Sequence, residues 1–362
     1  MTYESTYKTA STLLDSFTLP GGETASYSYD NFERTSSALY PTSMLNYSYE
    51  TDSTTKETSN RVSSYLFWAR FPESGMSSYQ YTIGYTYDAN GNITEIKRNN
   101  SSYLLYEYDS LGQLTRESSY LTLNYDRYTY DDAGNRLSKN TYYWSGTLKS
   151  SETYGYTNST WGDLLTNYNG TAITYDASGN PLNWKDASNL YWTGNRLTEI
   201  TLSNATASSA YKALWMQYDA NGIRTSKQYV EHVADASSYT VTYTTDGTKI
   251  LSEQRTGTNP HTIYYVYDAN GSVVGMKYNG AQYWYHKNIQ GDVLGIMNAN
   301  GVEVVSYAYD AWGKVLSVSG SLSSTVGAVN PFRYRGYYYD VETGFYYVSS
   351  RYYLCVKTVP KP

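Results

Sequence analysis

A short line, Tyr-Thr-Tyr-Asp-Asp-Ala-Gly-Asn-Arg-Leu at positions 128–137, returns along this sequence in altered copies. Side chains alternate across an extended strand with period two, so the paired tyrosines of a copy share a face. The aspartate suits the first position of a type I turn and the glycine the fourth, while Gly-Asn accepts the positive φ of a tight reversal. The leucine opens a return strand. Each copy therefore encodes a β-hairpin with its own turn.

Full copies set the turn pair at Asp88 and Gly91, Asp109 and Gly112, Asp131 and Gly134, Asp176 and Gly179, Asp219 and Gly222, Asp268 and Gly271, and Asp310 and Gly313. The first three aspartates lie 21 and 22 residues apart, and the later gaps of 45, 43, 49 and 42 are close to twice that period. Worn copies fill the midpoints: Trp161-Gly162-Asp163-Leu164, Trp192-Thr193-Gly194-Asn195, Thr245-Asp246-Gly247 and Gln290-Gly291-Asp292. Repetition of this kind predicts a repeat architecture. Residues 1–80 are the least regular. Tyr27-Ser28-Tyr29-Asp30 carries Glu33 where the turn glycine belongs, and Tyr47-Ser48-Tyr49-Glu50 keeps the tyrosines but loses the turn. Positions 60–70, with Tyr65, Leu66, Phe67 and Trp68, fit either a buried strand or a short helix.

Composition agrees with an all-β reading. Among 362 residues there are 47 Tyr against 6 Phe, and a tyrosine suits a strand surface that is half buried and half wet. Hydrophobic content of 40% with regular turn punctuation argues against disorder. A net charge of −6 without basic stripes argues against a nucleic-acid partner. One cysteine, Cys355, excludes an internal disulfide. No signal peptide opens the chain and no run is long and apolar enough to span a membrane.

A lone hairpin is marginal in water. Burying one tyrosine face gains about 2–3 kcal/mol, whereas ordering some twenty residues costs on the order of 20–40 kcal/mol. Neighbouring hairpins must pair edge to edge, with tyrosines in cross-strand ladders. The expected result is a long antiparallel sheet that twists and curls as it grows, with ends that need covering.

The stretch Asn330-Pro331-Phe332-Arg333-Tyr334-Arg335-Gly336-Tyr337-Tyr338-Tyr339-Asp340-Val341-Glu342-Thr343-Gly344, continued to Arg351-Tyr352-Tyr353, closely resembles the core motif of Rhs (YD-repeat) proteins. With the repeats, the resemblance covers roughly residues 81–353. It implies a divergent N-terminal region over 1–80, YD repeats over 81–329, the core motif over 330–353 and a divergent tail over 354–362. It also implies tandem hairpins winding into a curved or spiral β-shell, with the core motif closing one end. Bacterial members carry variable C-terminal toxins used against competing cells. Relatives form the cocoon of insecticidal toxin complexes and the scaffold of teneurin adhesion proteins. After Tyr353 the sequence leaves the family pattern, and the aspartates of the self-cleavage region are absent along with any toxin. Self-cleavage and toxicity are therefore not expected of these residues. With only a dozen or so repeats, the expectation is a part-shell that needs further repeats or a second copy to cover its edges.

Catalytic and metal readings are weak. His232, His261 and His286 are scattered without ligand spacing. Asp88-Ala89-Asn90-Gly91-Asn92 lacks the glycine position and terminal glutamate of a calcium loop, and reads as a turn. Asp340 and Glu342 belong to a turn ending at Gly344 rather than to a glycosidase pair. Cys355 has no partner motif. Arg333, Arg335 and Arg351 are expected to stack on tyrosines or pair with Asp340 and Glu342 in a polar lock, a nucleic-acid contact being the rival reading.

Three functions remain: a non-catalytic shell segment of a secreted or cell-surface Rhs protein enclosing a toxin domain for delivery between cells; a cell-wall or glycan-binding module using exposed tyrosines; and an enzyme, disfavoured for want of an acid–base constellation. No cofactor is expected. The expected partners are an encapsulated toxin domain or further repeats.

Overall fold

The structure, a computed structural model, describes residues 4–358 apart from 9–11, 20–21, 72–74, 186, 203–211, 232–236, 350 and 355–356. His232 and Cys355 lie outside the described residues. Almost every element is a strand, as the period-two patterning requires. Fifteen strands, from Glu4–Tyr7 to Thr171–Ala172, pair in chain order in one sheet. Twelve, from Ala187–Thr193 to Val315–Ser319, form a second sheet, also in chain order. Four short strands, from Tyr338–Asp340 to Lys357–Thr358, form a third. None of these sheets closes into a barrel among the described residues. The chain divides into two compact units, Met1–Gly170 with Asn300–Val302, and Thr171–Ala299 with Glu303–Pro362.

In the first unit the segment that fitted strand or helix is a strand, Thr58–Phe71, paired on both sides. Tyr65, Phe67 and Ala69 alternate into the core, which a helical period would not allow. Tyr65 meets Tyr47 and Tyr85, and Phe67 stacks on Tyr81 at 5.1 Å. Cross-strand aromatic pairs are the natural stabiliser of such a surface. The degraded copy at Asp30 still makes the turn, with Glu33 forced to φ 61° in the place of glycine.

Following the Asp176 turn, Pro181 supplies no N–H, and Tyr175 and Pro181 meet only in an isolated bridge. Regular pairing resumes at Ala187–Thr193. In the second sheet the inward residues are Ile263, Tyr265, Met276, Tyr285, Ile296, Val305 and Tyr307, all buried. The double period of the sequence is explained here. Between the full turns at Asp219, Asp268 and Asp310 lie a two-residue hairpin at Gly247-Thr248 and an Asn288 turn, so the worn copies still reverse the chain.

Candidate functional site

Each full turn is built the same way. Asp88, Asp109, Asp131, Asp176, Asp219, Asp268 and Asp310 accept, through Oδ1, the N–H of the residue four positions on, at 2.8–2.9 Å. The glycine three positions on donates to the aspartate carbonyl at 2.9–3.1 Å. Where the fifth residue is Asn or Gln, its amide donates to Oδ2 as well, as at Asn92, Gln113, Asn135 and Asn180. A carboxylate that collects these donors replaces the backbone partners a reversal would otherwise lose.

The tyrosine before the aspartate has a second task. Tyr108 Oη donates to the Ile93 carbonyl at 2.9 Å, Tyr130 to Leu114 at 2.7 Å, Tyr218 to Leu197 at 2.7 Å, Tyr267 to Ile250 at 2.8 Å and Tyr309 to Val293 at 2.8 Å. Most of these acceptors stand just after the turn of the preceding hairpin, so each tyrosine ties its own turn to the one before. Phenylalanine cannot do this, which gives part of the excess of tyrosine a structural cause.

The residues of the core motif sit on the inner face of the second sheet. Phe332 meets Tyr265 edge-on at 4.7 Å. Tyr339 N–H donates to the Pro331 carbonyl at 2.7 Å, folding the motif back on itself. Three of its tyrosines grip one repeat turn: Tyr334 donates to the Ala311 carbonyl at 2.9 Å, Tyr353 to Trp312 at 2.7 Å and Tyr346 to Gly313 at 2.8 Å. Gly313, at φ 85°, is required twice over, since a Cβ there would also collide with the Tyr334 ring.

At the other side of the motif the next tyrosine, Tyr347, accepts the Arg224 N–H at 3.0 Å. The Arg224 and Gly313 turns are eight strands apart, about 38 Å along a flat sheet. Hydroxyls of adjacent tyrosines cannot stand much more than roughly 17 Å apart. The second sheet therefore curls around the motif.

Where they meet is a buried ion cluster. The Arg224 guanidinium donates to both oxygens of Asp340, at 2.6 and 3.1 Å. Lys227 Nζ stands 3.0 Å from Asp340 Oδ1 and 2.9 Å from each oxygen of Glu342. Tyr239 Oη donates to Glu342, and Tyr338 Oη to Glu253 at 2.6 Å. Side-chain exposure is 5% or less at Arg224, Lys227, Asp340 and Glu342. The rings of Tyr243, Tyr338 and Tyr347 pack around Arg224 within 5.1 Å.

Burial pushes the Asp340 carboxyl up, but Arg224 and then Lys227 overcome it, leaving it below the usual carboxylate range. Burial likewise opposes the charges on Arg224 and Lys227, and the facing carboxylates outweigh it. Among the described residues no cation stands at hydrogen-bond distance from Glu253, and burial holds its carboxyl above the ordinary value despite the Tyr338 hydroxyl.

The expected lock of Arg333, Arg335 and Arg351 with Asp340 and Glu342 is not what forms. Arg333 donates to the carbonyls of Asn330, Gly327 and Ala328 and lies 4.4 Å from the Tyr339 ring centre. Arg335 is exposed at φ 56°, with its N–H on Asp292 at 2.8 Å, and Arg351 is exposed. The anions take their cations, Arg224 and Lys227, from the sheet beneath the motif. Gly336 and Gly344 lie at φ 67° and 73°, where the chain reverses, and Tyr352 packs between Phe345 and Tyr347. His261 Nδ1 lies 2.9 Å from the Asn259 carbonyl, and His286 is buried in its strand.

Sequence reading missed Arg224 and Lys227. One signal was present: five residues after the turn aspartate the copies carry Ile93, Leu114, Val273 and Val315, so an arginine at 224 is out of place. Arg136 breaks the same rule, and is buried 4.6 Å from the Tyr154 ring centre.

The family described as RHS Repeat matches residues 87–119, two consecutive Tyr-Asp turns. A tRNA3(Ser)-specific nuclease WapA of Bacillus spizizenii is 31% identical over 251 residues, covering 68% of this chain and 10% of that protein. The tRNA nuclease WapA of Bacillus subtilis is 29% identical over the same length and share. Among solved structures, TcdB2-TccC3 without its hypervariable C-terminal region covers 98% of this chain at TM-score 0.77 and 18% identity. The Photorhabdus luminescens Tc holotoxin pore does so at TM-score 0.74 and 17% identity. This chain spans 19% of each of those structures. Repeat turn, tyrosine tie and matched relatives agree, and the chain belongs to the Rhs (YD-repeat) family.

Proposed function

We propose that this chain is a wall segment of a larger Rhs protein, one that encloses a toxin domain and serves its delivery between cells outside the producing cell. The observation that carries the reading is the seating of residues 330–353 on the curled second sheet through Arg224, Lys227 and the Asp310–Gly313 turn. A motif held by buried charges and by three tyrosines on one turn is built to close a wall. The relatives are named as nucleases, and this chain spans a tenth of their length, which supports assigning the chemistry to residues beyond this segment. The wall itself is non-catalytic in this reading. Asp340 and Glu342 are both engaged by the buried cations Arg224 and Lys227, which argues against a role for them in substrate chemistry.

A glycan-binding role rested on the abundance of tyrosine. The hydroxyls tied to neighbouring carbonyls give that abundance a structural cause, and the enclosure reading is favoured. Limited proteolysis of the full-length protein tests it. The nuclease-bearing part is expected to resist a protease to which the isolated part is sensitive. Arg224→Met, by loosening the seat, is expected to expose it. Equal digestion of the enclosed and isolated parts contradicts enclosure, and retention of the full chain on a glycan array would favour the rival.

A further inference from the structure

The edge of the first sheet opposite its Asp turns carries four successive reversals, at 99–100, 120–123, 144–147 and 169–170. The outer two use the residues that positive φ favours, Asn99 with Asn100 and Asn169 with Gly170. The inner two are apolar. Tyr120, Leu121, Leu123, Tyr143, Trp144 and Leu148 are exposed there, and the Tyr120 and Trp144 rings meet at 4.9 Å, so the two reversals form one patch. Leu123 is 63% exposed and holds φ 53°, the left-handed region that suits glycine or asparagine. A leucine is unfavourable at that place twice, once in backbone strain and once in hydration. From 118 to 125 and from 140 to 151 the sequence holds no carboxylate, in a chain of net charge −6. The one charged side chain in those stretches is Lys149, 5.4 Å from the Tyr143 ring centre. Backbone donors at the tips find partners within the sheet. Tyr143 N–H donates to the Thr147 carbonyl at 3.0 Å, Gly146 N–H to Tyr143 at 2.8 Å, Tyr120 N–H to Tyr103 at 3.1 Å, and Thr122 N–H to Ser119 Oγ at 3.3 Å.

We infer that this patch is a peripheral membrane-docking site, which seats one edge of the first sheet in the headgroup layer of a phospholipid bilayer. Tryptophan and tyrosine settle at that level, where a ring meets both apolar and polar surroundings. Leucines at the tips of two turns reach past the rings to the acyl boundary, and affinity grows with the apolar area they bury. Because the tip donors listed above are already paired, the turns leave water without orphaning them. The lack of carboxylates removes repulsion from anionic headgroups, and Lys149 adds attraction. Two rival occupants fit less well. A sugar platform needs hydrogen-bonding groups around its rings, and the leucines at the tips supply none. Six side chains on two turns are also few beside the roughly 20–30 residues a side of a stable protein interface. The docking is shallow, and no strand of the sheet crosses the bilayer in it. The inference concerns the first sheet and stands whether or not the wall encloses a toxin.

The test is sedimentation of the purified full chain with vesicles of phosphatidylcholine and phosphatidylglycerol in equal parts. The chain is expected in the vesicle pellet. Its tryptophan emission should be quenched by bromine-labelled acyl chains, and less so in Trp144→Phe. The deciding variant combines Leu121→Asn with Leu123→Asn, since asparagine suits the left-handed position and keeps the turn. Its vesicle partition is expected to fall at least about tenfold while its melting temperature holds or rises. Lys149→Ala should lose about threefold to fivefold at low salt. A wild-type chain that stays in the supernatant overturns the proposal, as does a double variant that sediments as fully as wild type. Self-association that the double variant abolishes, without vesicle binding, also overturns it and gives the patch to a second copy of the chain.

Discussion

The two long sheets share one turn design and differ in what holds their faces. Along the first sheet most side chains are half buried; Asn124–Tyr130 buries only Tyr128. In the second, Glu303–Tyr309 buries five of its seven residues. Turn carboxylates, tyrosine ties and cross-strand aromatic pairs organise the first sheet. The second has a motif seated on it, and the seat brings apolar burial and buried ions. The lesson is that the Tyr-Asp turn specifies local connection, while the depth of burial is decided by what packs on the face of the sheet.

Breaking the seat is expected to have the largest effect. Asp340→Ala leaves Arg224 and Lys227 without their shared anion, at a cost of about 3–5 kcal/mol. Hydrogen exchange should show lost protection in Arg224–Glu231 and Val293–Asn298 and little change in Asn124–Tyr130.

The same hydroxyl deletion made in both sheets sharpens the contrast. Tyr267→Phe leaves a buried Ile250 carbonyl unpaired, for about 1–3 kcal/mol, while Tyr130→Phe, nearer solvent, should cost about 0.5–1.5 kcal/mol. Equal losses in denaturant melts would erase the distinction drawn between the two faces. Glu33→Gly works in the other direction. Relief of the left-handed glutamate should stabilise its turn by roughly 1 kcal/mol, read as slower local exchange at residues 24–40.

The smallest effect is the pH dependence of the seat. Asp340 is depressed, so its stabilisation is present above its unfolded value and lost as pH falls through the folded one. Glu253 is raised, so its contribution is present below its unfolded value and lost as pH rises through the folded one. Glu253→Gln should therefore raise the unfolding midpoint relative to wild type at neutral pH, with the gain shrinking in acid. A gain that grows as pH falls would reverse the assignment.

How much of this was legible follows from the range of each interaction. The Asp-x-x-Gly turn is local, and Asp131 with Gly134 can be read from the sequence because its donors lie within five residues. Strand identity at Thr58–Phe71 was not decided, because an unbroken aromatic run fits either period until its pairing partners are known. The tyrosine ties were hidden since their acceptors, such as the Leu114 carbonyl for Tyr130, are set by register. Arg224 and Asp340 are 116 residues apart, and nothing local pairs them. The sequence marked the carboxylates of the core motif and misassigned their cations to its own arginines.

A double-mutant cycle at Arg224→Met and Asp340→Leu tests the account most directly, read as unfolding free energy of the second unit. The account predicts that each single variant loses more than about 2 kcal/mol and that the double variant recovers much of the loss, since two apolar residues leave no orphaned charge. Losses that simply add, to within about 0.5 kcal/mol, would show that the motif is held by something other than this pair.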